Sequence, residues 1–410
     1  MWQPVRKGDP VTARRDAKAR VGRMVDACRE WNEQASALIG REIERRRRTS
    51  QSNAIVVKAL IGFSVLPNPG APRRVVIFEG LRNKVMFSLF PPGEVYILGS
   101  HEERDYAARN GHGFLWQYPI QSAMILAVYR GWSGLARIQV RRWRRWIARR
   151  DVTVFLYEDT QGVGAFFALL RDPDDPSCRV ACIQHGHYTP RTVPCRPEGG
   201  LTEYNLVWDV QQGEWISDRP EKTRVVGLPY EAMATPCEGA LPVVLVGLGA
   251  TAISTHDESI RLYTRVCEAL KRNFEVDIAY RPHPNEFLKP EKIAQCEALF
   301  GRVDRTPKID LLNGPRALFV GEVSSLLFEA NQTGHLTAYI EVDRKFIPSG
   351  YHDLDIDPDA LDGFVRDLRA ALAEPLSDDP GRAARGDPLV RFAAALSSLG
   401  MLPDRSGDAS

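Results

Sequence analysis

Val276-Asp277-Ile278-Ala279-Tyr280-Arg281-Pro282-His283-Pro284-Asn285-Glu286 is an apolar run that ends in an arginine and a histidine held between two prolines. Residues 276–280 read as a buried strand. Pro282 and Pro284 fix φ on both sides of His283, so its imidazole is aimed before any ligand arrives. Arg281 can grip phosphate oxygens in pairs, and His283 can add another hydrogen bond. Each charge-assisted bond contributes roughly 1.5–3 kcal/mol. In open parallel sheets ligands gather beyond the carboxyl ends of strands, which is where this loop falls. A polar turn with an incidental histidine is the bland reading of the same residues.

A second run has the same layout. Gly321-Glu322-Val323-Ser324-Ser325-Leu326-Leu327-Phe328-Glu329 follows an apolar segment, 317–320, and opens a helix near Ser324 and Ser325. The free N–H groups and dipole of a helix N-terminus attract anions by about 0.3–1 kcal/mol, and up to ~2 when partly buried. Either serine could be a simple N-cap, but not both at once. Leu327 and Phe328 stand where Glu or Gln would complete a capping box. Glu329, one turn further in, is placed either to bind ribose hydroxyls or to sit in solvent. Gly247-Leu248-Gly249, after the apolar run 243–246, lets backbone come close to a ligand, so Gly249 joins the candidate set. Together these loops suit a diphosphate or a nucleotide phosphate.

Outward from these runs, the pattern alternates between strand and helix. In the second half, strands are expected at 243–246, 276–280, 317–320 and 337–340, and helices at 259–272, 290–300, 326–331 and 359–373. In the first half, strands are expected at 75–78, 95–98, 113–117, 152–157, 180–184 and 225–226, with helices such as 102–109 and 162–170 between them. Such alternation implies parallel sheets with covered faces. The expected organisation is an N-terminal helical extension (1–66), an α/β domain (67–230), a linker (231–241), a second α/β domain (242–375) and a tail (376–410). The two middle units read as facing Rossmann-like domains. The tail, rich in Asp, Pro, Gly and Arg apart from a short apolar run at 389–399, is expected to be loosely ordered or a strap across the body.

The first half carries its own candidates. Glu158 and Asp159 follow one strand, and His185 and His187 follow the next. A carboxylate or imidazole there could take a proton from a hydroxyl. Helix capping by Asp159 and a structural role for the histidines are the competing readings. Cys178, Cys182, His185 and His187 match no usual zinc spacing, and no metal site is expected.

The 410-residue chain is 44% hydrophobic and 26% charged with net charge +2. Such a composition is ordinary for a soluble globular protein and does not indicate a nucleic-acid binder. The seven cysteines include no CxxC pair, which fits a reducing cytoplasm. The longest apolar stretch, 54–66, is too short for a span of roughly 20 residues. Residues 11–50 read as a helix ending in Glu44-Arg45-Arg46-Arg47-Arg48, to pack on the body, form a partner contact or lie on an anionic surface, with a solvated helix carrying a narrow packed stripe as the bland reading. Residues 139–150 form a basic helix in which Val140, Trp143 and Ile147 share a face. Docking on anionic lipid and a buried stripe with a solvated arginine face fit it equally.

The Arg-x-His-Pro loop and the Ser-Ser helix start resemble the HP and SS motifs of bacterial polysialyltransferases. Related capsule and lipopolysaccharide transferases carry the same pair, and CDP-glycerol glycerophosphotransferases are similar. Gln184-His185-Gly186 resembles a turn common in surface-glycan transferases. The likeness covers roughly 73–375 and implies a GT-B fold. It gives His283, Ser324 and Ser325 the donor's nucleotide phosphate; Arg281, Glu329 and Gly249 join them from the loop reading above. The family's acidic base motif is matched in part by Glu158-Asp159, with His185 as rival base.

The resulting expectation is a metal-independent, inverting glycosyltransferase with a nucleotide-sugar as co-substrate and no other cofactor. Its acceptor would be a growing capsule or lipopolysaccharide glycan, or a lipid-linked one. It would lie in the cytoplasm, peripheral to the inner membrane face. A nucleotide-sugar 2-epimerase-like isomerase and a non-catalytic partner in a glycan-assembly complex are the alternatives.

Overall fold

The computed structural model describes residues 71–402 apart from 124–132, 157–162, 171–176, 187–201, 248–255, 341–351 and 375–385. Shorter breaks fall at 121–122, 164–165, 168–169, 185, 217–219, 284–285, 287–289 and 323. The expected N-terminal helix and the candidates Glu158, Asp159, His185 and Gly249 therefore lie outside the described residues.

Twelve described strands make two sheets. The first holds β1 (Arg74–Glu79), β2 (Val95–Gly99), β3 (Gly113–Trp116), β4 (Asp151–Leu156), β5 (Cys178–Ile183), β6 (Tyr204–Val207) and β7 (Thr223–Val225), in the order β3-β2-β1-β4-β5-β6-β7. The second holds β8 (Leu241–Val246), β9 (Val276–Arg281), β10 (Leu318–Gly321), β11 (Leu336–Ile340) and β12 (Leu354–Ile356), in the order β12-β11-β10-β8-β9. All pairings are parallel.

Strands covered on both faces must be apolar along their whole length. In β1, Val75 and Ile77 enter one core with Trp143, Trp146 and Phe166, while Val76 and Phe78 enter another with Phe87, Phe155 and Phe392. In β8, Val243 and Leu245 likewise face away from Val244 and Val246.

The described helices are α1 (His101–Arg109), α2 (Ser133–Ile147), α3 (Val210–Ile216), α4 (His256–Asn273), α5 (Pro290–Phe300), α6 (Lys308–Leu312), α7 (Ser325–Gln332), α8 (Leu361–Ala373) and α9 (Pro388–Ser398). Strand orders of this kind reverse direction once, opening a crevice at the carboxyl ends. In the first sheet the reversal lies between β1 and β4, and in the second between β8 and β10.

Two local expectations are settled by packing. In α2, Trp143, Trp146 and Ile147 are buried against Phe166 and Phe167, so this stripe belongs to the core and is not a lipid-inserting face. Arg137, Arg141, Arg144 and Arg145 lie exposed on the other side. In the tail, residues 388–398 are not loose: they form α9, which returns to the first domain. Phe392, Ala395 and Leu396 enter its core, and Arg391 donates to the carbonyls of Val226 (2.9 Å) and Leu228 (2.6 Å).

Candidate functional site

Three chain segments leave the carboxyl ends of β8, β9 and β10 at the reversal point of the second sheet. Gly247 follows β8, Pro282 and His283 follow β9, and Glu322 and Ser324 follow β10. The two serines and the histidine singled out from sequence are thus neighbours by topology.

The β9 loop is built on buried polar contacts. Glu286 is almost wholly buried and accepts from the His283 backbone N–H (2.7 Å) and the Tyr280 hydroxyl (3.1 Å). Gly247 donates to the Arg281 carbonyl at 2.8 Å. A Cβ at position 247 would come within 2.6 Å of the His283 nitrogen and 2.9 Å of the Arg281 oxygen, and closer still to the Glu286 carboxylate. The glycine is therefore needed for the β8 exit to press against the β9 loop. Burial pushes the His283 imidazole pKa down, and the nearby Glu286 charge opposes that shift.

Arg281, expected at the donor's phosphates, also makes contacts within its own domain. Its Nη1 donates to Asp304 Oδ2 (2.5 Å) and to the Thr306 carbonyl (2.8 Å). Burial alone would raise the Asp304 pKa, but hydrogen bonds from Thr306 and Arg281 outweigh it and hold the carboxyl below its usual range. Through Nη1 the guanidinium braces the loop.

The β10 loop is built differently. Ser324 is the N-cap of α7, its hydroxyl accepting from the Leu326 N–H at 3.2 Å. Ser325 is the first residue of the helix. Glu322 is buried beneath the turn and accepts from the Ser259 hydroxyl of α4 at 3.0 Å.

Glu329 is not a solvated helix residue. It is buried, accepts from the Tyr230 hydroxyl, and pairs with Lys308 Nζ at 2.7 Å. Burial, and then the Glu329 charge, drive the Tyr230 hydroxyl pKa well up, keeping it a donor. The pair ties α7 to α6 and to the segment entering from the first domain.

The first domain meets this site through α7. Phe328 stacks on Trp208 at 5.4 Å, with Leu228 and Tyr230 packed around them. Trp208 donates its backbone N–H to Gln184 Oε1 (2.7 Å), while Gln184 Nε2 donates to the Gly186 carbonyl (2.8 Å) and Gln212 Oε1 (2.7 Å). Gln184 thereby shapes the turn after β5. That turn faces the serine helix so closely that a Cβ on Gly186 would lie 3.1 Å from Ser325 Oγ.

Sequence reading missed Glu286, Asp304 and Trp208 as determinants of this site, and noted Gln184 only as part of the Gln-His-Gly turn. Of the three, only the Glu at the end of the Arg-Pro-His-Pro run gave any signal, since an acid three residues past a histidine can fold back on the loop. Cys178 and Cys182 are both buried in β5, and the described residues hold no cluster of three potential metal ligands.

No protein-family model and no curated protein matches the chain. Solved structures do. A structure from Listeria monocytogenes bearing the name UDP-N-acetylglucosamine 2-epimerase is similar with a TM-score of 0.53 at 13% identity, covering 81% of this chain and 98% of that one. The UDP-GlcNAc 2-epimerase of Neisseria meningitidis aligns at 0.46 and 10% identity over 79% and 99%. The glycotransferase of kitacinnamycin aligns at 0.44 and 12% over 80% and 95%. At such identities the likeness is one of fold, and the Listeria match carries it. Two parallel-sheet Rossmann-like domains facing each other define this chain as a GT-B fold protein.

Proposed function

We propose that the chain is a GT-B glycosyltransferase that moves a sugar from a nucleotide-sugar to a growing capsule or lipopolysaccharide glycan. The observation that carries the reading is the meeting of the His283 loop and the α7 N-terminus at the reversal point of the second sheet, with the Gly186 turn of the first domain facing Ser325. His283, Ser324, Ser325 and the α7 N–H groups would hold the donor's phosphates and offset the negative charge that builds up as the nucleotide leaves. No metal is needed for this role. Arg281, pinned by Asp304, supports the loop, and Glu329 anchors α7.

In the proposed step an acceptor hydroxyl attacks the anomeric carbon from the face opposite the nucleotide. The bond to the phosphate oxygen breaks, and the hydroxyl proton passes to Glu158, Asp159 or His185. Inversion follows. The similarity of the HP and SS motifs to those of polysialyltransferase-like enzymes supports this assignment. The exposed arginines of α2 suit a peripheral contact with anionic lipid at the inner membrane face, without insertion.

Thermal shift with CMP, CDP, UDP and GDP tests the donor site, since ligand at 100 times Kd stabilises by about 2.7 kcal/mol. UDP comes first, given the name of the Listeria fold neighbour. His283→Ala should lower the affinity for the stabilising nucleotide at least tenfold by calorimetry. Unchanged affinity removes His283 from the site. Incubation with donor alone separates the second outcome: a new sugar isomer without acceptor would make the chain an epimerase.

A further inference from the structure

A cluster of aromatic side chains stands on the rim of the first domain, outside the site described above. Trp116 is the last residue of β3 and lies in register with Gly99, the last residue of β2. Its ring meets Phe114 edge-on at 4.8 Å and His101, the first residue of α1, edge-on at 5.0 Å. Tyr118 stacks alongside at 6.1 Å, and the Arg104 guanidinium lies over the indole at 5.8 Å. His101 and Arg104 are exposed, and Phe114, Trp116 and Tyr118 are half-buried. By contrast Phe78, Phe155, Phe166 and Phe167 of the same domain are each at most 1% exposed.

All strands of the first sheet are parallel, so their carboxyl ends share one rim. Gly186, past the end of β5, is on that rim and faces Ser325. The β3 end lies four strand positions away along the order β5-β4-β1-β2-β3, which is roughly 19 Å at the usual strand spacing. Half-exposed rings gathered with planar polar groups present an apolar body and a wet edge, the pairing that suits a binding surface. A pyranose ring offers matching chemistry, with an apolar C–H face to lie on an indole or phenol. Its hydroxyls can also bond to imidazole and guanidinium edges.

We infer that His101, Arg104, Trp116 and Tyr118 form a saccharide subsite that holds the distal part of an oligosaccharide acceptor. The inference rests on the transferase reading for the word acceptor, but the binding itself does not. Arg104 also holds the exposed Asp105 at 2.9 Å, so the polar edge offers both a donor and a carboxylate to vicinal hydroxyls. The spacing from the Gly186 turn means that short acceptors would not reach the subsite, and longer ones would gain from it.

The test is binding to a glycan array printed with bacterial capsule and lipopolysaccharide oligosaccharides. Wild type should retain at least one glycan series, with signal rising with chain length. His101→Ala, at an exposed position, and Tyr118→Ala and Trp116→Ala should each lower that signal at least tenfold. Their affinity for the nucleotide that wild type binds should stay unchanged by calorimetry. The inference is overturned if wild type retains no oligosaccharide, or if Tyr118→Ala and His101→Ala retain it as well as wild type. Glycan binding lost in these variants, in a protein that binds no nucleotide, would sink the donor site and leave the subsite standing.

Discussion

The loops that leave β9 and β10 flank the same strand, β8, yet different forces hold them. The β9 loop rests on charge and hydrogen bonds: Arg281 on Asp304, and His283 and Tyr280 on Glu286. The β10 loop adds interdomain volume to its own Glu322–Ser259 bond: Leu327 and Phe328 are buried, and Phe328 stacks on Trp208 of the other domain. One loop is fixed within its own domain, and the other is fixed to its neighbour as well. A ligand between them would contact a rigid polar wall on one side and a wall coupled to the interdomain contact on the other.

Breaking the β10 side should cost the most. Phe328→Ala removes a buried ring from the interdomain cluster and should destabilise by about 3–5 kcal/mol in chemical denaturation. Splitting of the unfolding transition into two would show that this stack couples the domains. On the β9 side, Asp304→Ala leaves the guanidinium of Arg281 without its carboxylate in a largely buried place. A loss of about 3 kcal/mol is expected, with nucleotide affinity falling alongside as the loop loosens. A loss below 1 kcal/mol would show that the loop does not need this pair.

A pH titration sharpens the contrast. His335, just past α7, accepts from the Ala317 N–H with Nδ1 and so donates to the Leu312 carbonyl with Nε2, at 3.1 Å each. Burial depresses its pKa to about 4. Between pH 6.5 and 4 the unfolded chain takes up a proton that the folded chain refuses. Stability should therefore fall as pH drops through that window, by about 3 kcal/mol in all. His335→Gln should remove most of that slope, and a slope unchanged in the variant would place the titration elsewhere. The smallest effect belongs to the cap: Ser324→Ala should cost about 1 kcal/mol, while Ser325→Ala should spare stability and weaken nucleotide binding.

Much of the architecture was legible because covered parallel strands are apolar end to end. The runs at 75–78, 95–98, 243–246 and 276–280 each fall within a strand. Two short strands escaped. Tyr204-Asn205-Leu206-Val207 has a buried Asn, and Leu354-Asp355-Ile356 is only three residues with an acid in the middle. Neither shows a clear apolar run. The basic helix was readable as a helix, but not which way its tryptophans face. Periodicity reports that a stripe exists, not what covers it, and here Phe166 and Phe167 do.

The sequence by itself determined the alternation of strand and helix and the two polar loops after β9 and β10. Those features depend on nearest neighbours: apolar period, proline restraint and helix-start chemistry. Only the tertiary structure decided that Arg281 supports the loop, that Glu329 is an internal ion pair, that α9 returns to the first domain, and that Gly186 faces Ser325. Each of those contacts joins residues far apart in the chain. The free energy of burying a charge or a ring depends on which distant group arrives to meet it, and no local pattern encodes that arrival.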